Sequence, residues 1–216
     1  MDKLTLPEDI DVLILCGGIG KRLQGVTRGW PKPLIEINGE PFLDILIKYV
    51  AGFGFRRFVL CTGYKAEEFR QNYNHKDSGV EIVFSEEAEP LGTGGALANA
   101  KAKIKSGIVL VMNGDSLCEV DFCSFINFHI ENGALCSMVL VAAEEATDYG
   151  LVVLNQSQQV TAFNEKTGSK GEALISAGIY LFKKDIFSMM PENKNFSLEY
   201  DFFPNIINAF CYGYRA

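Results

Sequence analysis

The segment Leu13-Ile-Leu-Cys-Gly-Gly-Ile-Gly-Lys-Arg-Leu23, with Trp30-Pro-Lys-Pro-Leu34 shortly after it, joins an apolar run to a glycine-rich turn and a set of cations. Val12 to Cys16 is continuously apolar, which predicts a buried strand emptying directly into the turn. Gly17, Gly18 and Gly20 let backbone N–H groups crowd around an anion where a Cβ would block the approach. Lys21 and Arg22 follow at once, and Lys32 is held between two prolines that stiffen its backbone. A strand, an amide-lined turn and converging cations predict a polyphosphate site, and with it nucleotide chemistry. The spacing differs from the P-loop, since neither Ser nor Thr follows Lys21. It differs from the dinucleotide fingerprint too, because Gly18-x-Gly20 leads to Leu23 where Gly or Ala is required. A glycine-rich turn with solvated charges would account for the glycines alone, but it leaves Arg22 and Pro31-Lys32-Pro33 without a role.

Outward from this segment, strand-like and helix-like stretches alternate. Phe42, Ile45, Leu46, Tyr49 and Val50 recur at helical spacing and predict a one-faced helix ending near Gly52 or Gly54. Arg57 to Thr62 reads as a second strand, Lys65 to Tyr73 as a polar helix and Val80 to Phe84 as a third strand. Thr93 to Ile104 reads as an alanine-rich helix capped by Thr93, and Ile108 to Met112 as a fourth buried strand. Asp121 to Glu131 reads as an amphipathic helix capped by its acid. Repeated β–α units predict an α/β fold with a Rossmann-like, doubly wound, mainly parallel sheet. Ligands in such sheets bind beyond the carboxyl ends of the strands. The glycine-rich turn, Thr62-Gly63-Tyr64 and Asn113-Gly-Asp115 all fall at such ends and are expected to line one crevice. From Ala134 the texture changes: Cys136 to Ala142, Gly150 to Leu154 and Gln159 to Asn164 read as strands, followed by a loop from Thr167 to Gly171. This predicts a single domain over residues 1–216, with a β-rich lobe from about 134 to 216 built onto the sheet of about 1–133.

The 216 residues suffice for one domain with a substantial core, and 48% hydrophobic and 22% charged residues are ordinary for a globular chain. A net charge of −7 argues against a nucleic-acid partner, so phosphate affinity has to come from a local cluster. No apolar stretch approaches the roughly 20 residues of a membrane span. No signal-peptide core follows Met1-Asp2-Lys3, so neither a membrane partner nor export is expected. Six cysteines (Cys16, Cys61, Cys118, Cys123, Cys136 and Cys211) show no Cys-x-x-Cys spacing, and several sit in apolar runs where a thiol acts as a small hydrophobe. A reduced, cytoplasmic protein without zinc or disulfides is expected. His75 and His129 lack an evident partner and are expected at the surface or the core edge.

Cys16-Gly-Gly-Ile-Gly-Lys-Arg-Leu23 with Pro31-Lys-Pro33 resembles the signature of the sugar-1-phosphate nucleotidyltransferases. Glu89-Pro-Leu-Gly-Thr-Gly-Gly-Ala96, Asn113-Gly-Asp115, Tyr149-Gly150, Glu165-Lys166 and Ser176-Ala-Gly-Ile-Tyr180 match further motifs in that family's order and span most of the chain. The stretch Pro90-Leu-Gly-Thr-Gly-Gly-Ala96 is most similar to the guanylyltransferases for D-glycero-D-manno-heptose 1-phosphate and mannose 1-phosphate. The resemblance implies transfer of a nucleoside monophosphate from GTP to a heptose- or mannose-type sugar 1-phosphate, with release of pyrophosphate. The product would be a nucleotide sugar for cell-surface polysaccharide synthesis, and the β-rich part would be the sugar-binding lobe. Two alternatives stay open: a uridylyltransferase using UTP, and a non-catalytic protein that binds nucleotide or sugar phosphate. Homo-oligomerisation is open as well.

By the same resemblance the catalytic set is Arg22, which holds the triphosphate and departing pyrophosphate, Lys32, which contacts the α-phosphate, and Asp115, which holds Mg²⁺. Leu15, Gly17, Gly18, Gly20, Glu87, Gly92 and Thr93 are implied to bind the nucleotide, and Gly150, Glu165, Lys166 and Ser176 the sugar phosphate. Glu87 falls where relatives carry a residue that reads the base. Guanine presents two adjacent donors, N1–H and the 2-amino group, which one carboxylate accepts together; uracil presents a single donor flanked by carbonyls. Taken singly, several of these residues have a plainer reading. Lys32 reads as a solvated loop cation and Asp115 as a turn residue after Gly114. Glu86, Glu87 and Glu89 read as a solvated acidic run, and Glu165-Lys166 as adjacent loop charges. Two departures stand out. Ser176 stands where the family usually has Asn. The sequence ends at Tyr212-Gly-Tyr-Arg-Ala216, where related enzymes continue into an Asp-Ile-Gly segment carrying the second metal ligand, so half of the metal pair is expected here, in a truncated or clipped chain or in a variant that takes the ligand from elsewhere.

Overall fold

A computed structural model describes residues 5–18, 29–74, 79–145, 150–165, 170–192 and 194–216. In chain order its elements begin with β1 (Asp11–Leu15), β2 (Glu36–Ile37), β3 (Glu40–Pro41), α1 (Phe42–Gly52), β4 (Arg57–Thr62) and α2 (Ala66–Tyr73). They continue with β5 (Glu81–Glu86), α3 (Gly92–Ala100), β6 (Ile108–Asn113), α4 (Phe122–Glu131), β7 (Cys136–Glu145) and β8 (Gly150–Leu154). The last are β9 (Val160–Glu165), β10 (Lys170–Lys183), α5 (Phe203–Phe210) and β11 (Cys211–Arg215). One sheet follows the path β11-β7-β10-β6-β1-β4-β5, with β8 paired to β10 and β9, while β2 and β3 form a hairpin of their own. β5, β4, β1 and β6 run parallel. β10 enters antiparallel between β6 and β7, and β11 closes the edge parallel to β7.

The central strands carry unbroken apolar runs, Val12 to Leu15, Phe58 to Cys61 and Ile108 to Met112, because both of their faces are covered. Leu13, Val59 and Val111 point into one core with Leu97 of α3 and Phe203 and Ile207 of α5. Val12, Phe58, Leu60 and Leu110 point into the other, with Leu46 of α1, Phe69 of α2 and Phe125 of α4. Each such Leu or Phe contributes roughly 1.5–3 kcal/mol on burial, enough to override weak local preferences. The β-rich lobe of the second half is continuous with this sheet rather than a separate layer.

Asp121 caps α4 as expected, its carboxylate accepting from the Ser124 amide at 3.1 Å. Three expectations need correction. α3 begins at Gly92 without any side-chain cap, so Thr93 lies inside the helix and its hydroxyl bonds elsewhere; the helix ends at Ala100 and Lys101–Lys103 continue as a 3₁₀ turn. β10 starts at Lys170, inside the stretch read as a loop, because pairing to β7 gives that polar segment its backbone partners; residues 167–169 lie outside the described residues. His129 is fully buried between α4 and β7, where its Nδ1 meets the Ser137 hydroxyl at 2.8 Å; His75 lies outside the described residues. All six cysteines are free thiols, and no described helix is long and apolar enough to cross a membrane.

Candidate active site

From β1 the chain winds outward through β4 to β5, then returns to the other side of β1 as β6. The loops leaving β1 and β6 diverge at this switch point, which opens a crevice at the carboxyl ends of the strands. A cavity of about 550 Å³ lies there, lined by Leu15, Cys16, Gly17, Gly18, Lys32, Glu87, Pro90, Gly92, Thr93, Asn113, Asp115 and Asn195 among others. Seven residues expected at the nucleotide or metal site (Leu15, Gly17, Gly18, Lys32, Glu87, Gly92 and Thr93) are therefore brought together with Asp115. Gly20, Arg22 and Lys166 lie outside the described residues, as does the side chain of Glu165.

Lys32 opens a 3₁₀ turn, Lys32–Leu34, whose Pro33 and Leu34 are buried and anchor it, leaving the lysine side chain on the cavity side. Its Nζ lies 3.1 Å from Asp115 Oδ2. Asp115 is held by the turn after β6, where the Gly114 amide donates to the Leu15 carbonyl at 3.0 Å and stitches the two strand ends together. Cation and carboxylate so placed can each meet a phosphate or its counter-ion. Cys16 sits beneath them, but burial and the neighbouring Cys61 and Asp115 push its thiol well above the usual range, so it is not a thiolate nucleophile.

The three acids at the end of β5 and just beyond it, Glu86, Glu87 and Glu89, have three different environments. Glu86 pairs with Arg70, and Glu89 is exposed. Glu87 is half-buried: its amide donates to the Thr62 carbonyl at 2.8 Å, and its Oε2 accepts from the Leu91 amide at 2.8 Å. A Cβ placed on Gly17 would lie 3.1 Å from Glu87 Oε1, so the carboxylate rests directly on the glycine-rich turn. Burial pushes this carboxyl up, partly opposed by the Leu91 hydrogen bond. A carboxylate sharing a small cavity with hard-phosphate ligands is suited to recognising paired donors.

Pro90, from the Glu89–Ala96 motif, lines the same cavity, as does Asn195, which no motif in the sequence marks. Asn195 belongs to a segment that packs onto the start of α3. The Phe196 carbonyl accepts from the Gly94 and Gly95 amides at 3.0 and 3.3 Å, while the Phe196 amide donates to the Leu91 carbonyl at 3.0 Å. The glycines are needed for this approach: a Cβ on Gly92, whose φ is +72°, would lie 2.6 Å from the Phe196 carbonyl oxygen, and one on Gly94 would run into the Phe196 ring. The Thr93 hydroxyl donates to Glu199 Oε2 at 2.7 Å and accepts from the Leu198 amide at 2.9 Å. The Gly94 and Gly95 amides in the first turn of α3 are thus satisfied within the chain.

Of the residues expected at the sugar phosphate, Gly150 and Ser176 are not among the described residues that line this cavity. Gly150 and Glu165 are register partners across β8 and β9. Ser176 Oγ lies 3.0 Å from the Tyr180 hydroxyl and accepts from the Gly178 amide at 3.2 Å, bracing an irregularity in β10. Gly178 in turn packs on the Asn113 side chain, which carries this part of β10 up to the cavity wall. A second, more open hollow of about 670 Å³ lies at the opposite end of β1, where Arg57 meets Asp11 at 3.0 Å and Glu81 at 3.1 Å. Asp11 also accepts from the Lys105 and Ser106 amides. These charges satisfy one another across the strand starts, which makes that end a structural network.

The nucleotidyl transferase family model matches residues 11–212. The chain is 32% identical over 209 residues to mannose-1-phosphate guanylyltransferase of Mycobacterium tuberculosis, covering 95% of this chain but 58% of that protein. It is 37% identical over 193 residues to D-glycero-alpha-D-manno-heptose 1-phosphate guanylyltransferase of Aneurinibacillus thermoaerophilus, covering 89% of this chain and 83% of that one. The crystal structure of HddC from Yersinia pseudotuberculosis complexed with GMP-PN superposes with a TM-score of 0.85 at 33% identity, covering 96% of this chain and 90% of that chain. With the family model matched over residues 11–212 and the heptose 1-phosphate guanylyltransferase relative 37% identical and covered to 83%, the chain belongs to the nucleotidyl transferase family.

Proposed function

We propose that the chain is a sugar-1-phosphate guanylyltransferase: it transfers GMP from GTP to a heptose- or mannose-type sugar 1-phosphate and releases pyrophosphate, forming a nucleotide sugar. An oxygen of the sugar phosphate attacks the α-phosphorus, and the bond from that phosphorus to the bridging oxygen of the β-phosphate breaks. Such transfers depend on positioning and charge neutralisation. In this reading Gly17, Gly18 and Gly20 cradle the phosphates, Lys32 neutralises the α-phosphate, and Arg22 follows the departing pyrophosphate. Gly150, Glu165, Lys166 and Ser176 receive the sugar phosphate. The observation that supports the reading is that the half-buried Glu87 carboxylate lines the same cavity as the Lys32–Asp115 pair, an acceptor suited to paired donors and a cation suited to phosphate. The names of the two guanylyltransferase relatives support it.

Asp115 fits Mg²⁺ as a single hard carboxylate at the cavity mouth, its side chain 45% exposed. Among the described residues no group of three or more His, Cys, Asp or Glu converges on a metal, which suits an ion held largely by phosphate oxygens and water. Mg²⁺ bound there would neutralise phosphate charge. On nucleotide binding, Lys32 and Asp115 would exchange their mutual contact for phosphate and metal.

Pyrophosphate release tests the reading directly. The protein is incubated with GTP or UTP, Mg²⁺ and a panel of sugar 1-phosphates that includes mannose and manno-heptose. Release is expected with GTP and a manno-configured acceptor. Equal use of UTP would remove the guanylyl assignment, and no release with any pair would leave a binding protein.

A further inference from the structure

We infer that Glu199 is a positioning residue for base recognition, holding the Glu87 carboxylate in register through Thr93 and the turn that precedes α3. The inference rests on the reading of Glu87 as the residue that meets guanine. Glu199 stands 106 positions beyond Thr93 in the chain and is half-buried against the start of α3. One of its oxygens, Oε2, takes both the Thr93 hydroxyl at 2.7 Å and the Ser197 hydroxyl at 2.6 Å. Two hydroxyls donating to one carboxylate oxygen form strong, charge-assisted bonds, and they fix the Thr93 rotamer. Thr93 then accepts from the Leu198 amide at 2.9 Å, so the hydroxyl proton and one lone pair are committed inside the protein.

The same segment grips the turn between Glu87 and α3 at two more points. The Asn195 side-chain amide donates to the Pro90 carbonyl at 2.6 Å, and the Phe196 amide donates to the Leu91 carbonyl at 3.0 Å. Leu91 closes the chain of contacts, because its own amide donates to Glu87 Oε2 at 2.8 Å. Glu87 is therefore aimed by a peptide unit that is itself clamped from the far end of the sequence. The clamp is rigidly based: Phe203, just beyond it, packs its ring 5.1 Å from both Phe163 of β9 and Tyr180 of β10. Loosening Glu199 leaves Lys32 and Asp115 untouched, since neither bonds to this segment. The expected damage falls on discrimination between bases and on nucleotide KM, with little on the phosphoryl step.

The experiment compares kcat, KM and the GTP-to-UTP ratio of kcat/KM in wild type and in Glu199→Ala, Glu199→Gln, Thr93→Val and the Glu199→Ala/Thr93→Val double variant. Glu199→Ala and Thr93→Val should each lower the ratio by about tenfold, mainly through the KM for GTP, and in Glu199→Ala, which lies outside the cavity lining, kcat should stay within about threefold of wild type. The double variant should be no worse than either single one, as for two residues in one interaction. Glu199→Gln should keep the wild-type ratio, because its amide oxygen can accept both hydroxyls. If Glu199→Ala proves too unstable to assay, Thr93→Val removes the shared bonds with little change of volume and carries the test. An unchanged ratio in both the Ala and Val variants overturns the proposal, as does a Gln variant that falls as far as Ala. Glu87→Gln is run alongside: a ratio that moves in Glu87→Gln but in none of the others defeats the positioning role alone, whereas a ratio insensitive to Glu87→Gln defeats the base-reading assignment.

Discussion

Lys32 and Asp115 meet at 3.1 Å with side chains 28% and 45% exposed, which places them among solvated ion pairs contributing about 1 kcal/mol or less to the fold. Their value must then lie in what they do to bound phosphate. Lys32→Ala is expected to lower turnover at least about a hundredfold, the scale for losing one preorganised charge at a transition state, while Tm moves by only a few degrees. Asp115→Asn is nearly isosteric but cannot supply the charge that Mg²⁺ prefers, so metal-dependent turnover should be lost with the fold kept. A magnesium titration checks this; saturation at the wild-type concentration and rate would make Asp115 a turn residue. Glu87 adds a pH dependence with a definite sign. Its carboxyl is pushed up by burial, so protonation removes the ionised acceptor at a higher pH than for an ordinary carboxyl near about 4.3. Since kcat/KM reports groups on the free enzyme, the GTP-to-UTP ratio should fall as pH drops in wild type and stay flat in Glu87→Gln.

At the scale of elements, two glycines with similar surroundings in sequence are expected to behave oppositely. A Cβ on Gly94 runs into the Phe196 ring, whereas one on Gly18 meets nothing within 4 Å. Gly94→Ala gains up to about 1 kcal/mol of helix propensity but forces apart the start of α3 and the segment clamped on it, which costs about 1–3 kcal/mol. The clash should win, giving a lower urea midpoint. Gly18→Ala should leave that midpoint unchanged and lower activity by crowding the phosphates. The contrast explains why α3 was misjudged from the sequence. Gly92-Thr93-Gly94-Gly95 reads locally as a capped start, yet its glycines answer to Phe196 and Lys194, about a hundred residues away, and no local pattern announces such a partner. β1, β4 and β6 could be read nearly to the residue because burial on both faces writes itself as an unbroken apolar run. The cavity residues on strand ends were accessible for the same reason. Asn195 was not, since it sits in an irregular segment whose place depends wholly on tertiary packing.

The whole molecule carries a net charge of −7, and among the few polar side chains buried in its interior, Asp11, Asp44, Thr62, Ser85 and Ser137 included, is His129. Its Nδ1 meets Ser137, its Nε2 is buried without a hydrogen-bond partner among the described residues, and burial together with the nearby Lys183 charge pushes its pKa down to about 4. The unfolded chain would take that proton near pH 6.5. Because the folded value lies below the unfolded one, the unfolded state binds more protons in between, so this contribution to stability is complete above about pH 6.5 and is lost as pH falls toward 4. At about 1.36 kcal/mol per unit, the loss amounts to roughly 3 kcal/mol, a large share of a typical domain's stability. Carboxylates held low, Glu86 by Arg70 and Asp121 by Ser124, lose their contributions only at more acid pH. Glu87 acts in the opposite sense, since a raised carboxyl favours the folded state as pH falls. The upper part of the acid window therefore isolates the imidazole. His129→Gln retains an amide that can bond Ser137 and has nothing to titrate. It should be less stable than wild type at pH 7 yet show a much flatter decline between pH 6.5 and 4.5 in urea unfolding. Parallel declines in the two proteins would mean that His129 takes its proton in the folded state, and that the core around Ser137 admits water.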